Sequence, residues 1–131
     1  SIKLDRLDAL NDERAKLAAM FEQKLKKTPL ALPVQTPGAL HVFHIYVVRV
    51  PDGKRDALKT FLAQEGIPSM IHYEIPVHRQ PVMKKYATRK VPLPVTEKLR
   101  QEVLTLPFFP GMTEAEADQI ADAVKKFYKA G

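Results

Sequence analysis

The chain has 131 residues, 45% of them hydrophobic, and 21 Lys and Arg against 15 Asp and Glu give a formal net charge of +6. That length fits one domain with its own core. The absence of cysteine excludes disulfides, thiolate metal sites and a cysteine nucleophile. No apolar run approaches the roughly 20 residues needed to cross a bilayer, and the opening residues Ser1-Ile2-Lys3-Leu4-Asp5 carry no apolar signal core. These features lead us to expect a cytoplasmic protein with no membrane partner.

Residues 3–26 read as one long helix, because Leu4, Leu7, Leu10, Leu17, Phe21 and Leu25 fall near one stripe with charges between them. At 1.5 Å per residue it would span on the order of 36 Å. A small sheet cannot cover that length, so part of the stripe is expected to face something outside this chain. Residues 28–40 hold three Pro and a Gly and read as a connector. Val42 to Val50 is an almost unbroken β-branched and aromatic run, which predicts a well-buried strand. Pro51-Asp52-Gly53 turns the chain, with Asp52 as the expected N-cap of a helix carrying Ala57, Leu58, Phe61 and Leu62. That helix should stop at Gly66.

Ser69–His72 reads as a short strand and 73–94 as a long loop. Val95, Leu99 and Val103 give a short helix, and Leu104-Thr105-Leu106 a third strand. Thr113-Glu114-Ala115-Glu116 is a capping box. It opens a last helix with Ala117, Ile120, Ala121, Val124, Phe127 and Tyr128 inward. The predicted fold class is α/β of the α+β type, with a small, mainly antiparallel three-stranded sheet covered by helices and a long N-terminal helix.

The basic residues occur as separate groups: Lys24, Lys26 and Lys27; Lys84 and Lys85; Arg89 and Lys90; Lys125, Lys126 and Lys129. They read as solvated helix faces rather than as the continuous stripe that a single-strand nucleic-acid binder needs. Metal binding lacks a ligand set. His41 and His44, three apart in a strand, would point to opposite faces, and His72 and His78 have only Glu74 near them in sequence, whereas zinc wants three or four ligands. There is no Gly-x-Ser-x-Gly, Gly-x-Gly-x-x-Gly or P-loop. His44 and Tyr46 read as core residues of the strand. The stretch His72-Tyr73-Glu74-Ile75-Pro76-Val77-His78-Arg79-Gln80-Pro81 is different in kind. Two prolines pin it, and its side chains offer donors, acceptors and a cation that suits phosphate. A loop of that composition is the candidate ligand site.

Several stretches resemble, in the correct order, the C-terminal part of the pyridoxal-phosphate-dependent sugar aminotransferases of the DegT/DnrJ/StrS family. Ile2–Asp8 with Asn11-Asp12-Glu13-Arg14 resembles the helix that leaves the large domain. His41–Arg49 resembles the His-x-Tyr-His-Leu-Tyr-x-x-Arg strand, with Phe43 replacing Tyr. Gly66-Ile67 and His72–Pro81 resemble the Gly-Ile…His-Tyr-Pro-x-Pro-x-His-x-Gln-Pro signature, with Glu74 where Pro is usual. Leu93-Pro94-Val95-Thr96-Glu97 and Leu104–Pro110 resemble two further stretches.

The resemblance implies a parent enzyme that moves an amino group, usually from glutamate, onto a nucleotide-linked keto sugar, as in cell-surface polysaccharide or amino-sugar biosynthesis. Pyridoxal phosphate serves as electron sink, and the parent is expected to be a homodimer. The Schiff-base Lys and the Asp facing the pyridine nitrogen belong to the family's large domain, and their motifs are not read in this chain. Residues 1–131 are therefore expected to be the small domain alone, without cofactor, metal or catalytic residue of its own and without activity. By the same resemblance His72 and Tyr73 contact the sugar or pyrophosphate, His78 and Gln80 support the loop, and Arg49 is structural. The alternatives are a non-catalytic family member with a regulatory or partner role, and a basic RNA-binding α/β module.

Overall fold

The computed structural model describes residues 4–86 and 92–129. The expectations placed on Ile2, Lys3, Arg89 and Lys90 lie outside those residues. The order is a 3-10 turn at Leu4–Arg6, α1 (Leu7–Leu25), β1 (Tyr46–Arg49), α2 (Arg55–Gln64), 3-10 turns at Val77–Arg79 and Pro81–Lys85, α3 (Pro94–Glu102), β2 (Val103–Leu106) and α4 (Glu114–Lys129).

β1 and β2 pair antiparallel with Tyr46 opposite Leu106 and Arg49 opposite Val103. The expected third strand is absent among the described residues: from Ser69–His72 only Met70 joins the sheet, through a single bridge to Thr105. Pro68 precedes it without an amide donor, and the chain turns at His72–Tyr73. A matching single bridge joins Ala31 to Arg49 on the other edge, between Pro29 and Pro33. The spatial order is thus Ala31, β1, β2, Met70.

The first strand is also shorter than its apolar run. His41 Nδ1 accepts the Phe43 amide at 2.9 Å, and Phe43 takes φ +45°, so the backbone is locally turned and enters the ladder only at Tyr46. Phe43 and Tyr46 are buried, but His44 is exposed, which corrects its reading as a core residue. With 41–45 outside a strand, the argument that His41 and His44 sit on opposite strand faces loses its premise.

Helix signals are mostly borne out. α2 ends in a Schellman arrangement: Ile67 N–H donates to Leu62 O at 2.8 Å and Gly66 N–H to Ala63 O at 3.1 Å, with Gly66 at φ +76°. Asp52 is not the N-cap. It occupies the left-handed region at φ +59°, and the cap position falls on Lys54 without a side-chain bond. The capping box of α4 is complete, with Thr113 N–H donating to Glu116 Oε2 at 2.7 Å and Glu116 N–H to Thr113 Oγ1 at 3.3 Å.

The core lies where α1, α2 and α4 meet the sheet. Phe21, Tyr46 and Phe108 form its aromatic centre, with Phe21–Tyr46 ring centroids 5.1 Å apart and Tyr46–Phe108 5.3 Å. Burial pushes the Tyr46 phenol up to about 12, with the charge of Glu22 adding to it. Leu58 and Leu62 close one side, Ala117, Ala121 and Val124 another. The stripe of α1 changes character along its length. Leu17, Phe21 and Leu25 are buried, whereas Leu4 is 67% and Leu7 44% exposed.

Candidate functional site

The loop leaves the sheet at Met70 and is fastened at three points. Thr105 of β2 meets Met70 through backbone bonds of 2.7 and 3.1 Å, and its hydroxyl pairs with His72 Nδ1 at 2.8 Å. Thr105 is the one buried polar residue among those described, and this pairing satisfies its oxygen. The His72 ring is thereby fixed in place. Tyr73 follows through a cis peptide, its ring edge-on to His72 at 5.4 Å and 75% exposed. The phenol stands free on an anchored backbone.

The second fastening is Glu97 on α3. His78 Nε2 lies 2.6 Å from Glu97 Oε1, Arg79 Nε donates to the same oxygen at 2.6 Å, and Arg100 Nε donates to Oε2 at 3.1 Å. His78 and Arg79 hold the Glu97 carboxyl below its ordinary 4.5, the His78 hydrogen bond first and Arg79 second. Arg100 also donates from Nη1 to the Glu74 carbonyl at 3.2 Å. The third fastening is internal, from Gln80 Nε2 to the Ile75 carbonyl at 3.0 Å.

His72, Tyr73, His78 and Gln80 thus belong to one loop but do not converge on one point. His72 and Tyr73 stand at the sheet edge; His78 and Gln80 bind the loop to α3 and to itself. The sequence reading missed Glu97 and Thr105 as the groups that hold them. Glu97 was within sight, since it ends the Leu93–Glu97 stretch, but its three partners come from positions 78, 79 and 100, and no local spacing shows that. Arg49 donates from Nε and Nη2 to Glu102 Oε2 at 3.0 and 2.7 Å, which ties β1 to α3 and agrees with a structural role. Among the described residues no three metal-ligating side chains come together, and no helix is long and apolar enough to cross a membrane.

The chain belongs to the DegT/DnrJ/EryC1/StrS aminotransferase family, whose model matches residues 1–125. It is 35% identical over 132 aligned positions to a pleiotropic regulatory protein of Geobacillus stearothermophilus, covering 98% of this chain and 35% of that protein. It is 35% identical over 127 positions to dTDP-3-amino-3,6-dideoxy-alpha-D-galactopyranose transaminase of Aneurinibacillus thermoaerophilus, covering 97% and 34%. The fold superposes on DesV of S. venezuelae, solved in complex with a ketimine intermediate, with a TM-score of 0.88 and 35% identity, covering 96% of this chain and 34% of that one. The chain spans about a third of the length of the curated relatives it matches.

Proposed function

We propose that the chain is the C-terminal, small domain of a pyridoxal-phosphate-dependent aminotransferase acting on a nucleotide-linked keto sugar. The observation that carries this reading is the loop: Tyr73 is exposed on a backbone held by Thr105, Glu97 and Arg100, so its phenol is presented without being used in packing. The similarity to the dTDP-sugar transaminase of Aneurinibacillus supports this substrate class, and the ketimine intermediate in the DesV structure supports the reaction class. In this reading His72 and Tyr73 offer hydrogen bonds to the sugar or its pyrophosphate, and His78 and Gln80 keep the loop in register. A contact of this kind binds and orients; the chemistry belongs to the rest of the parent.

Pyridoxal phosphate needs converging donors for its phosphate, an acid beside its ring nitrogen and a lysine for its aldehyde. Around the loop the Glu97 carboxylate is already taken by three donors, and no lysine stands among the described hydrogen bonds of the cluster. These residues do not by themselves fit the cofactor, and we assign its binding to the remainder of the parent. The exposed end of α1, at Leu4 and Leu7, is then the face that the large domain covers.

One observation favours a second reading, a regulatory role without transamination: a relative of equal identity is known as a pleiotropic regulatory protein. The full-length parent separates the two. Purified with cofactor, it should convert a nucleotide-linked keto sugar with glutamate as donor, while the 131-residue chain should neither react nor develop the visible band of bound cofactor. A full-length parent that binds no cofactor and transfers no amino group would leave the regulatory reading standing.

A further inference from the structure

A cleft among the described residues lies on the other side of the sheet from the loop. The chain runs from Thr28 and Pro29 into the Ala31 bridge on the outer edge of β1, whereas the loop leaves the outer edge of β2 at Met70. The cleft, about 620 Å³, is formed by the last turn of α1, the residues after it and the last turn of α4. Its volume is that of a small-molecule site. Five lining residues are lysines, Lys24, Lys26, Lys27, Lys125 and Lys129, and no lining residue is acidic. The two groups are about a hundred positions apart in sequence, so only the packing of α1 beside α4 brings them together.

The lysines are not equivalent. Lys24 is held by Asp118 and Glu114, and Lys125 reaches Asp122 at 3.0 Å. Lys26, Lys27 and Lys129 have no ion-pair partner among the described residues. A lysine in each last turn is expected from the helix dipole. That rule does not require three further ammonium groups around one concavity, where they repel each other unless an anion lies between them. Tyr128 lines the same cleft, and its hydroxyl is buried with no hydrogen-bond partner among the described residues. Burial, with the Asp52 charge second, holds that phenol above its ordinary value, so it keeps its proton. Lysine stems, Pro29 and the Tyr128 ring supply an apolar wall behind the charges.

We propose that this cleft is a second binding site, for a small diphosphate-bearing anion such as a nucleoside diphosphate, with Lys26, Lys27 and Lys129 as the phosphate ligands. It is independent of the loop and of the reaction assigned to the parent. The test is a set of 1H–15N titrations of the chain with ADP and with pyrophosphate at constant ionic strength. The site predicts saturable shifts confined to 23–29 and 125–129 for both ligands. Lys26→Gln with Lys129→Gln should weaken binding about tenfold or more, the equivalent of one lost charged hydrogen bond. Lys84→Gln with Lys85→Gln removes the same charge elsewhere and should leave it nearly unchanged, and the spectra report whether each variant is folded. Shifts that do not saturate at millimolar ligand, or an equal loss from both pairs, would overturn the site. A tighter response to a short RNA than to ADP would overturn the small-anion assignment in favour of a nucleic-acid face.

Discussion

The sheet's helix-covered core and the loop at its edge are held by opposite means. The core, around Phe21, Tyr46, Leu58, Leu104 and Val124, is apolar and close to fully buried. Burial of that kind is non-directional and indifferent to moderate changes of pH and salt. The loop buries little: Tyr73, Ile75 and Val77 are all exposed. It is held by directional contacts, three of them on one carboxylate. Stability therefore resides in one region and the shape of the candidate site in the other, and the two can be perturbed separately.

The largest effect should come from the core. Phe21→Ala removes a ring packed on both Tyr46 and Phe108 and should cost about 3–5 kcal/mol, read from the urea midpoint at unchanged slope. A cost near that of a surface change would mean that the aromatic cluster is not the centre of the fold. Thr113→Ala deletes the cap of α4 and should cost about 1 kcal/mol, again by urea titration, with the loop resonances unmoved. Glu97→Gln keeps the shape but loses the charge facing Arg79 and Arg100. We expect the urea midpoint to move much less than for Phe21→Ala, while the amide signals of 74–80 broaden or shift. A large loss of global stability with a quiet loop would break the comparison.

Acid gives the finest discrimination. Because the folded Glu97 carboxyl titrates below its ordinary 4.5, its contribution to holding the loop is fully present above that value and is lost as the pH falls through the depressed one. Loop resonances at 74–80 should move in that range before the β2 amides of 104–106 do. Simultaneous movement of both would show that the loop has no separate electrostatic fastening.

How much of this could be read in the sequence differs by region for the same reason. Signals that act within four residues were legible: the Thr113–Glu116 box and the Gly66 stop are local hydrogen-bond patterns and appear as written. Burial periodicity placed Leu17, Phe21, Leu25, Ile120 and Val124 correctly. The strand signals overreached. An apolar run at 42–50 does not reveal that His41 captures the Phe43 amide and turns the backbone, so the run implies a buried His44 where the structure has it exposed. Ser69–His72 has the composition of a strand but gives one bridge. The lysines of the cleft, read as separate solvated faces, meet only through tertiary packing, as do the three partners of Glu97. Long-range polar contacts leave no periodic trace, so the loop could be named from its residues while its support could not.

The central claim is that the loop is presented for contact, and Tyr73→Phe in the full-length parent tests it most directly. Loss of one hydrogen bond should cost about 0.5–1.5 kcal/mol, or about 1.5–3 kcal/mol to a charged phosphate oxygen. That corresponds to roughly a few-fold to a hundredfold fall in kcat/KM for the nucleotide sugar, with Tm unchanged because the hydroxyl packs against nothing. Unchanged kcat/KM together with a lowered Tm would contradict the assignment of Tyr73 to the site.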